Sequence, residues 1–410
     1  MDLFQSFRSR NYLWLWLVVV LTNTGSWTFT LAVTWQVYGL THSPFWSGAM
    51  MFASLMPNVI GAPIAGVLAD RLDRRRLVFV SILVILGVLT ALIAFTLVHA
   101  LSAIGMFVLT LMFGTASSAM SVTVSTVLPS LVPEEDLYNA YSLQSLGQSG
   151  TEFIGPALAS PLVAAFGVNA AYLFGWLLYG GALAFLFLLQ TPTLIQRGNR
   201  VASKQGFLHS LADGFLYIRR SPTIFTLISL VGFHCALTMS YMGMLPIFVK
   251  HELIASPGFY GVLMSMVGLG SILGTLFLAG VRDRKRRGQL FWTSAILSGL
   301  SLSLLGLSHA PAAAIGSMVL IGSSQTLFMT IVIAVIQEVT EEQVRGRVTS
   351  VYYVLAGGLM SVVNWGFGAL SMVIPAHVIM IASGSMFAVV VGVYGISSHS
   401  FRQVGQGLAA

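Results

Sequence analysis

Charged side chains are scarce in this chain: Asp, Glu, Lys and Arg make up 8% of its 410 residues, where an ordinary soluble domain carries about 25%. Hydrophobic residues reach 56%, so the sequence reads as an all-helical, polytopic membrane protein. Cysteine occurs once, at Cys235, which excludes an internal disulfide and a cysteine-based zinc site. There is no Gly-Lys dipeptide, so the loop that sets a lysine and backbone amides around nucleotide phosphates is missing, and ATP hydrolysis is argued against. His251-Glu252 is followed by Ala255 where a metalloprotease needs its second histidine. The expectation is a protein with no cofactor, no metal and no enzymatic constellation. The net charge of +7 would suggest nucleic acid in a soluble protein, but here the positions of the charges decide, and nucleic acid is not an expected partner.

What is present is a succession of long apolar runs. A span needs about 20 residues at a rise of 1.5 Å to cross about 30 Å of hydrocarbon. Twelve are expected, at 12–38, 45–69, 77–98, 102–127, 140–165, 170–190, 223–249, 258–281, 289–308, 311–335, 347–373 and 376–397. The first run is too long for a signal-peptide core and is read as a retained span. Of the 20 basic residues only Lys250 falls on the sparsely charged face; the crowded face holds Arg8, Arg10, Arg71 to Arg76, Arg197 to Arg220, Arg282 to Arg287, Arg345, Arg347 and Arg402. The positive-inside rule makes that face cytoplasmic, with both termini on it. The halves also repeat: at a shift of 213 residues Ser43-Pro44 meets Ser256-Pro257, Gly48 meets Gly261, and Asp70-Arg71 meets Asp283-Arg284. This organises the chain as 1–190, a six-span bundle; 191–222, a linker; 223–397, a second six-span bundle; and 398–410, a tail. In the linker Phe207, Leu208, Leu211, Phe215 and Ile218 recur at helical spacing, which predicts an amphipathic helix on the membrane surface with Arg219 and Arg220 toward headgroups.

The stretch GVLADRLDRRR, from Gly66 to Arg76, is the sharpest motif. Gly66 allows close helix approach, Asp70 follows one turn on, and Arg71, Arg74 and Arg75 crowd a turn whose charges are costly to place in hydrocarbon. The pattern resembles the loop between the second and third spans of major facilitator superfamily transporters. The pieces Tyr12 to Leu13, Leu40 to Pro44, LPSLVPEEDLYNA from Leu128 and QEVTEEQVRGRV from Gln337 are similar to the macrolide-efflux and enterobactin-exporter-like branch of that superfamily. The resemblance implies two six-helix bundles with pseudo-two-fold symmetry and alternating access, with the first, fourth, seventh and tenth spans lining a cavity. It also implies that Asp70 latches against the start of the eleventh span near Gly346 to Val348, with Asp283 in the mirror role near Asn139, and Gly66, Arg71, Arg74, Arg75 and Arg284 as parts of the same device.

Titratable groups inside spans are few. Glu152 is the one acidic residue well within a predicted span, and His234 the one histidine. Glu152 ends a stripe with Gln144 and Gln148 on one face of the fifth span, ahead of Gly155-Pro156. Such a carboxylate can exchange a proton while the site changes access, or can stay protonated and hydrogen-bond a neighbouring helix. His234 begins a face continued by Thr238 and Tyr241, and is read either as a proton or substrate contact or as a structural histidine. The first span has no acid beside Gly25, and the fourth no arginine, unlike many proton-coupled relatives. Cavity walls are assigned to Asn23, Trp27, Thr30 and Thr34, to Ser118, Ser121 and Ser125, and to Gln325 and Met329; with no lysine or arginine among them they disfavour strongly anionic cargo.

The expectation is therefore a monomeric secondary transporter of a bacterial cytoplasmic membrane that exports amphiphilic neutral or cationic small molecules by proton antiport, with protons, cargo and membrane lipids as its partners. A lipid or lysolipid translocator and an uncoupled uniporter are the alternatives, and a non-transporting membrane sensor is a further one.

Overall fold

The computed structural model describes residues 5–71, 73–189, 207–281 and 283–398, and the side chains of these except at 60–71, 134, 138 and 207–210. Among the described residues the ordered elements are all helical: α1 (Arg10–Thr41), α2 (Pro44–Arg71), α3 (Arg74–Leu97), α4 (Ala103–Val127), α5 (Leu137–Phe166), α6 (Val168–Leu188), α7 (Phe207–Arg220), α8 (Pro222–Leu237), α9 (Leu245–His251), α10 (Pro257–Ala279), α11 (Arg284–Gly306), α12 (Pro311–Val339), α13 (Glu342–Leu370) and α14 (Ala376–Ser397). Their starts follow from local chemistry. Proline opens α2, α8, α10 and α12, where its missing N–H has no helical partner to lose. Ser9, Asp73, Ser102 and Asp283 cap α1, α3, α4 and α11 by accepting a hydrogen bond from a first-turn amide. Between α5 and α6 the chain turns on Gly167 at φ 78°, a conformation that costs glycine little.

The helices fall close to the twelve expected spans, with the seventh divided into α8 and α9. Nine of them, among the described residues, are long and apolar enough to cross a membrane, or ten when Leu211–Arg220 and Pro222–Leu237, which meet at 114°, are taken as one bent span. The twelve expected spans are thus reduced on this measure. Three are missing from the nine: the seventh, whose break leaves α8 only 16 residues long; α5, whose first half is rich in Tyr, Asn, Gln and Ser; and α2, whose side chains from residue 60 on lie outside the described residues.

The chain divides into two compact units. The first gathers Met1–His42, Ala53–Ala202 and Pro257–Ser265; the second gathers Ser43–Phe52, Ser203–Ser256 and Met266–Ala410. Each unit therefore takes the start of one helix from the other half of the sequence. In the first, α1 runs against α6, α5 and α4, around a cluster in which Phe29 stacks on Phe113 and Phe113 meets Tyr179 edge-on. In the second, α11 lies against α14 and α12, and α13 against α8 and α7. Its core joins Phe291, Phe328, Phe387, Val348 and Tyr352.

The linker helix forms at the expected place but not with one membrane-facing stripe. Ile218 is 2% exposed in the core of the second unit, while Phe215 is 52% exposed. Gly214 lets α7 approach α13, and Asp213 pairs with Arg347 at 3.2 Å. Phe207 and Leu208 have side chains outside the described residues.

Candidate functional site

In the first unit the sequence sets two faces on α5. Leu143, Gly147, Thr151, Gly155 and Ala159, four residues apart, are buried. This face packs on α1: Trp16 Nε1 donates to the Leu143 carbonyl at 3.0 Å, Tyr12 Oη to the Ala140 carbonyl at 2.8 Å, and Gly155 lies against Trp27 Cβ and the Thr24 carbonyl. The stripe Gln144, Gln148, Glu152 is thereby turned away from that packing: Gln148 is exposed, and Gln144 and Glu152 are half-buried. The Gln144 Oε1 atom is itself buried without a hydrogen-bond partner. On α1, Asn23, Trp27 and Thr30 are half-buried, and the Thr30 hydroxyl donates to the Ser26 carbonyl at 3.0 Å. Thr34 is not an open wall residue; it is 1% exposed, and its hydroxyl lies 2.8 Å from that of Tyr260. On α4, Ser118 is buried while Ser121 and Ser125 are exposed.

The second unit departs furthest from expectation. The seventh span leaves the helix at Thr238 and resumes at Leu245. Non-helical backbone at membrane depth survives only where its polar groups find partners, and side chains from two other helices supply them. Gln325 of α12 donates from Nε2 to the Thr238 carbonyl at 2.8 Å, and Asn364 of α13 accepts the Gly243 N–H on Oδ1 at 3.0 Å. The Ser240 hydroxyl donates to the Cys235 carbonyl at 2.8 Å. Gln325, expected in a cavity wall, is thus 6% exposed and braces the break, and Thr238 and Tyr241 are fully buried in it. Met329 is half-buried, with the Tyr352 hydroxyl 3.8 Å from its Sδ.

His234 sits below the break, in a closed aromatic core. Its Nε2 is 2.9 Å from the Ser298 hydroxyl, and its ring packs on Phe328 and Phe387 at 4.6 and 5.2 Å. It is 0% exposed, and its Nδ1 is buried without a hydrogen-bond partner. Asn364 was not anticipated; its only sequence signal is a lone amide in the apolar run SVVNWGFG.

The arginine motif acts within the first unit. Arg74 donates to the Thr126 carbonyl at 3.2 Å and Arg75 to the Phe187 carbonyl at 3.0 Å, so two cations sit on the unpaired C-terminal carbonyls of α4 and α6. The side chains of Gly66, Asp70 and Arg71 lie outside the described residues, and so does the contact expected of Asp70. The target expected for it does shift: α13 begins at Glu342, which puts Gly346 to Val348 inside the helix rather than at its end. Asp283 does not match Asp70 either. Asp70 lies within α2, whereas Asp283 follows α10 and caps α11 by accepting the Lys285 N–H at 3.2 Å, as Asp73 caps α3 by accepting the Arg75 N–H at 2.9 Å. Asp73 and Asp283 are the structural pair, and Arg284 then matches Arg74. Arg284 ion-pairs with Glu338 in the last turn of α12, as Arg74 reaches the last turn of α4. Asn139 is engaged elsewhere, accepting from the Ser6 hydroxyl at 2.8 Å.

A family model described as transmembrane secretion effector matches the chain over residues 2–403. The chain belongs to that family of major facilitator transporters. Among curated relatives, macrolide efflux protein A of Enterococcus faecalis is 24% identical over 76% of this chain and 96% of its own length. Enterobactin exporter EntS of Shigella boydii is 24% identical over 78% of this chain and 76% of its own. An uncharacterised transporter of Bacillus subtilis, YfiS, is 27% identical, but the chain spans only 48% of its length. Among solved structures, the nucleoside transporter NupG superposes with a TM-score of 0.68 at 14% identity, covering 98% of this chain and 99% of that one. A POT family transporter in complex with 5-aminolevulinic acid gives 0.75 at 14% identity over 96% and 97%. At these identities the superpositions establish the fold. The transporter is thus an all-helical, multi-span membrane protein.

Proposed function

We propose that this transporter exports amphiphilic neutral or cationic small molecules by alternating access, driven by proton antiport through Glu152. The observation that carries the coupling is the α5 stripe: Glu152 stands half-buried with Gln144 and Gln148 on the face turned away from α1. A carboxylate in that position can hold a proton in one access state and release it in the other. Export is supported by relatives named for macrolide efflux and enterobactin export. Neutral or cationic cargo is supported by the half-buried Asn23, Trp27 and Thr30 and the exposed Gln148 and Ser121, which offer amide, aromatic and hydroxyl groups and no guanidinium or ammonium. The basic face, with both termini, is the cytoplasmic side of a bacterial inner membrane by the positive-inside rule.

The test is substrate-driven proton movement in liposomes carrying purified transporter, with a panel of lipophilic drugs. Wild type is expected to couple drug and proton flux, and Glu152→Gln to bind drug without moving protons. If both proteins equilibrate drug and neither moves protons, the coupling is absent and the chain is a uniporter or lipid translocator.

A further inference from the structure

A cavity of about 190 Å³ opens in the second unit between the C-terminal ends of α10 and α12 and the basic first turn of α11. Its walls divide by chemistry. Leu278, Val281 and Val335 are apolar, and Arg284, Arg287 and Glu338 line the charged end. Above it, α10 and α12 are in backbone contact: a Cβ added at Gly274 would lie 2.8 Å from the Ser323 carbonyl oxygen. The cavity begins one turn beyond that contact. On the adjoining outer surface of α10, Leu273, Leu276 and Phe277 are 48%, 60% and 59% exposed.

An apolar track leading into a charged recess at a helix end has the shape of a lipid site, chains along the track and headgroup in the recess. The sign follows from the side chains. Two guanidiniums line the recess against one carboxylate, and Lys285 and Arg286 flank it on the first turn of α11. With Arg284 paired to Glu338 at 2.5 Å and Asp283 capping α11, four cations stand against two carboxylates, so this end of the cavity is net positive. We propose that this cavity binds an anionic glycerophospholipid, its phosphodiester on Arg284 and Arg287 and its acyl chains along the exposed face of α10. The site is separate from the α5 stripe and does not depend on the cargo or its coupling.

The test is native mass spectrometry of the full-length transporter released from nanodiscs holding phosphatidylglycerol and phosphatidylcholine in equal parts. Wild type should retain phosphatidylglycerol preferentially. Arg284→Ala with Arg287→Ala should lower that retention about thirtyfold, from the usual contribution of two basic side chains near a lipid surface. Arg219→Ala with Arg220→Ala, an equal charge removed from exposed positions on α7, should leave it unchanged. Ala334→Trp, which fills the cavity from an exposed position without touching charge, should lower it too. Equal loss in the α7 control, or full retention in Ala334→Trp, would make the attraction a general surface effect and overturn the site. Displacement of the lipid by free glycerol phosphate would overturn the lipid reading in favour of a soluble phosphate-bearing ligand.

Discussion

Leaving a peptide N–H without an acceptor inside a helix bundle costs about 1–3 kcal/mol, and this sets how Asn364 responds to substitution. Asn364→Leu keeps the size of the side chain but strands the Gly243 N–H. The expected result is a loss of about 1–3 kcal/mol, seen as earlier thermal unfolding in detergent. Unchanged unfolding would mean that the break closes without its cap. Arg74→Gln tests the other residue-level device. The side chain shortens and loses its charge, so the carbonyl of Thr126 gives up a charge-assisted partner worth about 1.5–3 kcal/mol. Arg75→Gln, whose bond to Phe187 is exposed, should cost less in the same assay. Legibility differs between these residues for a physical reason. Arginines crowded between two apolar spans announce a membrane surface by their transfer cost alone. Asn364 carries no such signal, because its partner is a backbone amide 121 residues away.

At the scale of elements, α5 was readable by period. Its polar stripe and its stripe of small residues both recur every four residues, and a helix must put them on different faces. What periodicity does not reveal is which face touches what. Gly155→Ala places a methyl 2.8 Å from Trp27 Cβ and 2.9 Å from the Thr24 carbonyl oxygen, so α1 and α5 must part. A cost of about 1–3 kcal/mol is expected from overpacking. Gly150→Ala, on the same helix with nothing within 4 Å of the added carbon, should instead be neutral or gain up to about 1 kcal/mol of helix propensity. Equal thermal shifts for the two variants would rule out the packing account. The linker helix taught the opposite lesson. Its apolar spacing predicts a helix, but Ile218 and Phe215 lie on different surfaces because Gly214 and the Asp213–Arg347 pair draw one edge of α7 onto α13. Likewise the register that aligned Asp70 with Asp283 was misled by repeated Asp-Arg pairs; helix ends, which fix Asp73 against Asp283, are invisible to letter matching.

At the scale of the whole molecule, the two halves repeat in order but not in rigidity. The first span runs unbroken as α1, with 32 residues, whereas its counterpart stops at Leu237 and resumes at Leu245. The stretch 238–244 holds three Met and only Gly243 as a breaker, so hydropathy reads it as continuous span; Pro246, in the first turn of α9, is the one sequence sign of the restart. A helix interior exchanges its amide hydrogens slowly because each opening must break neighbouring ladder bonds together. In the broken segment, several amides depend on single bonds, such as that from Gly243 to Asn364. Hydrogen–deuterium exchange on the reconstituted transporter should therefore find 238–244 exchanging faster than the middle of α1, and Asn364→Leu should accelerate 238–244 while leaving α1 unchanged. That outcome would mark 238–244 as a segment that opens more readily than the middle of α1 and is held by Asn364. Equal protection of the two first-of-half spans, in wild type and variant alike, would show that the break is as firmly held as a helix and owes nothing to Asn364.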